Sequence, residues 1–89
     1  MDIVEFVEAV IESIDSGETN VDSTKSFIEN GGYSLAAVRL SDIVFKKTQI
    51  VMNFFDIMGD ESLQALLSKI NEAVVSDNDE YADVDEGVL

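Results

Sequence analysis

Leu63, Leu66, Leu67, Ile70 and Val74 recur every three or four residues, which winds them onto one face of an α-helix. Residues 2–15 have the same character. Val4, Val7, Ile11 and Ile14 form a stripe with Ile3, Phe6 and Val10 beside it, while Glu5, Glu8, Glu12 and Asp15 take the opposite face. A helix with one apolar stripe must bury that stripe against another element. In a chain of 89 residues with no Cys and no His, neither a disulfide nor a structural zinc site is available to hold any other kind of small fold together. The helical period therefore predicts an all-α fold, a small bundle whose helices supply each other's core.

The segments between these helices complete the layout. Gly17 is expected to stop the first helix. Residues 16–33 are rich in Ser, Thr, Asn, Asp and Gly and read as a long loop, with Val21, Phe27 and Ile28 as its apolar anchors. A second helix is expected from Ser34 to about Lys47. A connection over Thr48 to Asn53 then leads into a short helical turn, Asn53 to Met58, broken by Gly59. Asp60 or Ser62 is placed to cap the last helix by accepting an orphan backbone N–H. From Ser76 the apolar stripe ends and six acidic residues follow. The expectation is one domain over residues 1–75 and an acidic, disordered tail over 76–89. Read as a calcium loop from Asp77, the tail puts Ala82 where a Gly is needed and Val88 where a Glu is needed, so no metal site is assigned.

The net charge of −14 repels a phosphate backbone and an anionic bilayer surface, so neither nucleic acid nor membrane is an expected partner. No apolar run approaches the roughly 20 residues of a membrane span. Met1-Asp2-Ile3-Val4-Glu5 is acidic where a signal peptide is basic, so a cytoplasmic chain is expected. The starting Met and the acidic end are read as those of a complete small chain, with a domain excised from a longer protein as the alternative. Without His or Cys there is no imidazole base and no thiolate nucleophile. The pair Glu8 and Glu12 lies on a charged, solvated face. No catalytic residue is assigned, and the chain is not expected to be an enzyme.

The segment with chemical content is Gly31-Gly32-Tyr33-Ser34-Leu35, where the long loop meets the second helix. Paired glycines permit φ > 0 and remove Cβ bulk from the surroundings. A helix start offers unpaired N–H groups and the positive end of the macrodipole, a favourable place for a phosphate. A Ser there can carry a phosphodiester on its Oγ, or serve simply as an N-cap after an ordinary Gly-Gly loop. No Gly-Lys-Ser/Thr follows, so this is not a Walker loop. It is not a hydrolase nucleophile elbow either, which needs Gly on both sides of Ser.

The stretch Ser26-Phe27-Ile28-Glu29-Asn30-Gly31-Gly32-Tyr33-Ser34-Leu35-Ala36-Ala37-Val38-Arg39-Leu40 resembles the core motif of phosphopantetheine-binding carrier proteins, most closely the peptidyl-carrier type of nonribosomal peptide synthetases. Phe54-Phe55-Asp56-Ile57-Met58, followed by Glu61-Ser62-Leu63, is similar to the family's third-helix segment and the opening of its last helix. The likeness covers about residues 3–74, and only the Gly-Gly-x-Ser-Leu block is specific. Asn30 stands where the family favours Leu, Ile28 where it favours an aromatic residue, and Tyr33 where the peptidyl type often has His or Asp.

The resemblance implies a four-helix carrier bundle, free-standing, with a long first loop and a short third helix. Ser34 would receive 4′-phosphopantetheine from coenzyme A through a separate phosphopantetheinyl transferase, with Gly32, Tyr33 and Leu35 beside the arm. The arm's thiol would hold an acyl or aminoacyl group as a thioester, which explains how a chain without Cys could carry one. Adenylation, condensation or thioesterase-type enzymes would be the partners, and the carrier would act as a monomer. Two other readings stay open: an acyl carrier of a polyketide or fatty-acid-type pathway, and an unmodified acidic helical adaptor for a basic partner.

Wound at 100° per residue, the second helix gathers Ala36, Ala37, Leu40, Ile43 and Val44 on one side, the expected core face. Leu35, Val38 and Phe45 fall on the other side among Arg39, Asp42 and Lys46. Apolar residues on an outward face next to Ser34 mark Leu35, Val38, Arg39, Asp42 and Phe45 as a candidate docking surface. Residues 34–47 carry a net +2, unlike the acidic second helix for which fatty-acid carriers are known.

Overall fold

A computed structural model of the chain describes residues 1–17 and 20–73. Val74 and the acidic segment 76–89 lie outside the described residues, as does the expected domain boundary at 75. Within the described residues the chain forms an all-α bundle: α1 (Ile3–Ile14), α2 (Ser34–Thr48), α3 (Phe54–Ile57) and α4 (63–73). None of these helices is long and apolar enough to cross a membrane.

Each helix boundary has a local cause. Asp2 caps α1 in a capping box: it accepts from the Glu5 N–H at 2.8 Å, and Glu5 accepts from the Asp2 N–H at 3.2 Å. The helix ends where the pattern over residues 2–15 places its end, ahead of Gly17. Asp15 takes the left-handed conformation at φ 54° and its N–H donates to the Ile11 carbonyl. Gln49 ends α2 in the same way at φ 65°. Asn53 accepts from the Phe55 and Asp56 N–H groups and starts α3. Of the two caps considered for α4, Ser62 is the one in place, accepting from the Ala65 N–H at 3.1 Å.

The core is one cluster. Phe6, Ala9, Val10 and Ile14 of α1 meet Ala36, Ala37, Leu40 and Val44 of α2, with Ile57 of α3 and Leu63, Leu66, Leu67 and Ile70 of α4. The expected core faces of α2 and α4 are the buried ones. The expected stripe of α1 is buried only in part. Val4 is exposed, Val7 and Ile11 are half-buried, and Ile14 is buried together with Phe6, Ala9, Val10 and Ser13. The buried face is turned from the Val and Ile stripe towards Phe6 and Val10 beside it. Ser13 is accommodated inside because its hydroxyl donates to the Val10 carbonyl at 2.7 Å.

Residues 20–33 have structure of their own. Asp22 begins an Asx turn, accepting from the Thr24 N–H and hydroxyl. Ser26 and Glu29 form a second capping box, Ser26 N–H to Glu29 Oε1 at 2.9 Å and Glu29 N–H to Ser26 Oγ at 3.1 Å, around a single helical turn that ends at Gly31. Asn30 ties this turn to the Asx turn. Its side chain accepts from the Asp22 N–H and donates to the Asp22 and Ser26 carbonyls. The segment then docks on α4: the Leu63 and Gln64 N–H groups, orphans of that helix's first turn, donate to the Lys25 and Ser23 carbonyls at 3.0 Å each. Of the three expected anchors, Phe27 is fully buried and Val21 packs against the core. Ile28 points out of the turn and is 48% exposed, so it anchors nothing.

Candidate functional site

The loop delivers the chain to α2 through Gly31 and Gly32, and each glycine is required by the fold itself. Gly31 sits at φ 97°, a conformation that L side chains rarely adopt. Gly32 lies against the buried Phe27 ring so closely that a Cβ there would overlap the ring carbons. The glycine pair thus seats Phe27 in the core and turns the chain out to Ser34.

Ser34 is the first helical residue of α2, one position beyond the N-cap, and it is exposed. The cap position is held by Tyr33, whose backbone is extended and whose side chain makes no capping bond. The Ser34 hydroxyl has no hydrogen-bond partner among the described residues. The first intrahelical bond runs from the Ala37 N–H to the Tyr33 carbonyl at 2.9 Å. The N–H groups of Ser34, Leu35 and Ala36 therefore precede the ladder, and the first turn holds no acidic side chain to offset their partial charge. The other three helices begin on a side-chain cap: Asp2, Asn53 and Ser62.

Ser34 Oγ and these three N–H groups form an open donor set at the positive end of α2, a favourable place for an anionic group. The side-chain position that Gly32 leaves vacant is taken by the Phe27 ring. The Tyr33 hydroxyl turns back to α1 and donates to the Ile14 carbonyl at 3.1 Å.

The five candidate docking residues divide into three sets. Val38, Asp42 and Phe45 line a groove of about 360 Å³ together with Ala37, Ser41, Val51 and Phe54. Leu35 is 55% exposed beside Ser34 and lies outside the groove. Arg39 is exposed but lies outside the groove lining, and its Nη1 donates to the Ser13 carbonyl at 3.3 Å and to the Tyr33 hydroxyl at 3.4 Å at the end of α1. Asp42 pairs with Lys46 at 3.0 Å across one helical turn. Lys46 and Lys47 sit in the last turn of α2, where they complement the negative end of its dipole. The positive charge of α2 thus has local uses.

Val51 and Phe54 complete the groove wall, and Phe55 stands nearby at 80% exposure, edge-on to Phe54 with ring centroids 5.7 Å apart. The sequence signal for these residues is an apolar cluster at 50–55 with too few positions in the bundle to bury it. Two carboxylates in the loop are held below their usual range by the turns that bind them. Hydrogen bonds from the Thr24 hydroxyl and N–H lower Asp22, and those from Ser26 lower Glu29. Lys69 is raised by its bond to Glu61, with Asp56 adding to the effect.

No family model, curated protein or solved structure matches the chain.

Proposed function

We propose that the chain is a carrier protein modified on Ser34. The observation that carries this reading is an exposed serine hydroxyl without a partner among the described residues, at the start of a helix that has neither a side-chain cap nor an acidic first turn. Ser34 Oγ would form the new bond to phosphorus, adenosine bisphosphate would leave from coenzyme A, and the serine proton would pass to a base of the transferase. The bound arm supplies a terminal thiol for thioester chemistry. The chain's own part is to hold the phosphate at the helix start and to present the groove of Val38, Phe45, Val51 and Phe54 to partner enzymes. The single acid of α2, Asp42, is ion-paired, so the helix offers no acidic stripe. This supports a peptidyl-type carrier over a fatty-acid-type one.

Incubation with coenzyme A and a broad-specificity phosphopantetheinyl transferase is expected to add about 340 Da to the intact protein and nothing to Ser34→Ala. An unchanged mass, or a shift that persists in Ser34→Ala, refutes the reading. The exposed groove also favours a second one, an unmodified adaptor. In that case Ser34→Ala would bind its partner as the parent does.

A further inference from the structure

The chain enters α2 through two residues without side chains. Gly31 is in the left-handed region, and Gly32 is fixed by its N–H bond to the Phe27 carbonyl at 2.9 Å and by the ring beside it. Tyr33 is the first side chain after the glycines that can grip anything, and it directly precedes Ser34. It grips a different helix from its own. Its hydroxyl donates to the Ile14 carbonyl at 3.1 Å and accepts from Arg39 Nη1 at 3.4 Å, while the same Arg39 nitrogen donates to the Ser13 carbonyl at 3.3 Å. Both carbonyls belong to the last turn of α1, where acceptors lack intrahelical partners and the dipole is negative. That turn contains no basic residue of its own.

We propose that Tyr33 and Arg39 are positioning residues for Ser34: a clasp across the end of α1 that fixes the start of α2. Neither touches the incoming phosphoryl group. They act by limiting the orientations available to Ser34 Oγ and to the unpaired N–H groups behind it. Attack on phosphorus requires a narrow range of placements, so a looser helix start lowers the turnover rate. Binding to the transferase through the groove face of α2 is untouched, so KM stays where it is. The kinetic half of this proposal rests on the carrier reading above. The structural half concerns the unmodified protein alone.

The test uses Tyr33→Phe, Arg39→Gln and Arg39→Lys in the full chain. In the unmodified protein, hydrogen exchange at the Ala37 amide, which bonds to the Tyr33 carbonyl, is expected to rise about fivefold in Tyr33→Phe relative to the Leu40 amide one turn on. The turnover number for Ser34 modification is expected to fall about tenfold with KM within about twofold. Arg39→Gln moves both in the same direction, and Arg39→Lys, which keeps a positively charged donor at the negative end of α1 where Gln keeps only a neutral one, recovers at least half of the rate. If Tyr33→Phe does not fold, Arg39→Gln decides the matter, since that side chain lies outside the core. Unchanged exchange at Ala37, or a lost rate matched by a raised KM, overturns the clasp. A parent protein that accepts no arm overturns the carrier reading and the kinetic half with it, while the exchange result still decides whether the clasp holds the helix start.

Discussion

Replacing Gly32 by alanine puts a methyl group where the Phe27 ring already lies. Phe27 is fully buried, so the ring can yield only by moving against its core neighbours. Overpacking of this kind costs typically about 1–3 kcal/mol, and the closeness of the overlap places Gly32→Ala near the middle of that range or above it. For a domain of this size, about 2 kcal/mol corresponds to a fall in Tm of roughly 8–16 °C. Gly31→Ala is also destabilising, for another reason: its Cβ meets open space, and the cost is the strain of φ 97° alone. A double-mutant cycle read by urea or thermal unfolding separates the two causes. Phe27→Leu costs about 1 kcal/mol in the parent. In the Gly32→Ala background it removes the clash and is expected to cost nothing or to stabilise, a coupling of at least about 1 kcal/mol. In the Gly31→Ala background the same change should be additive. A Gly32–Phe27 coupling under about 0.5 kcal/mol would refute the argument that this glycine is required by the ring.

Three other outcomes are expected. Asn30→Leu, which restores the residue that the carrier resemblance favours, removes the side chain joining Asp22 to Ser26 and should cost about 1–2 kcal/mol in denaturant unfolding, whereas an unchanged midpoint would mean that the loop holds without it. Asp22 and Glu29 are depressed in the folded chain, so their contribution is present above the ordinary carboxylate range and is lost as pH falls below it. An acid titration followed by NMR should therefore loosen residues 22–31 ahead of α1, and Asp22→Asn with Glu29→Gln should flatten that dependence. Val51→Ser and Phe55→Ser remove residues that are 76% and 80% exposed, and they should stay within about 0.5 kcal/mol of the parent while Leu66→Ala loses about 2–4 kcal/mol; a comparable loss at Phe55 would show that its ring is part of the core.

The helices were legible where apolar residues fall on one face only. In α4 the Leu and Ile positions leave a single choice of buried side, and in α2 the small Ala36 and Ala37 mark the close approach to α1. In α1 apolar residues occupy positions 3, 4, 6, 7, 9, 10, 11 and 14, which cover most of the circumference. Hydrophobicity alone then does not select a face, and the packing chose the one through Phe6 that admits Ser13. The capping box of Ser26 and Glu29 was written in the sequence at its usual spacing, but inside a stretch whose composition reads as loop. The hydroxyl of Tyr33 and the guanidinium of Arg39 act across 19 and 26 residues on backbone carbonyls, which carry no sequence signature at all.

Most of the Gly31-Gly32-Tyr33-Ser34-Leu35 block is accounted for by folding. Both glycines have sufficient reasons within the fold, a positive φ at one and a buried ring at the other, so neither is support for an arm. Tyr33 is occupied with the end of α1. What remains unexplained by folding is Ser34 itself. A helix start gains about 0.5–2 kcal/mol from a capping side chain, and α1, α3 and α4 each take that gain while α2 does not. Shifting the serine by one position, to residue 33, would supply the missing cap at the expense of an exposed hydroxyl on the first turn. A Tyr33→Ser, Ser34→Ala double variant makes that exchange. Its caps should recover part of the stability lost with the Tyr33 clasp, and it should take up no arm, because the hydroxyl would then be turned into the backbone that it caps. Modification of this variant at residue 33 would show that the transferase reads the loop and not the placement of the serine on the helix.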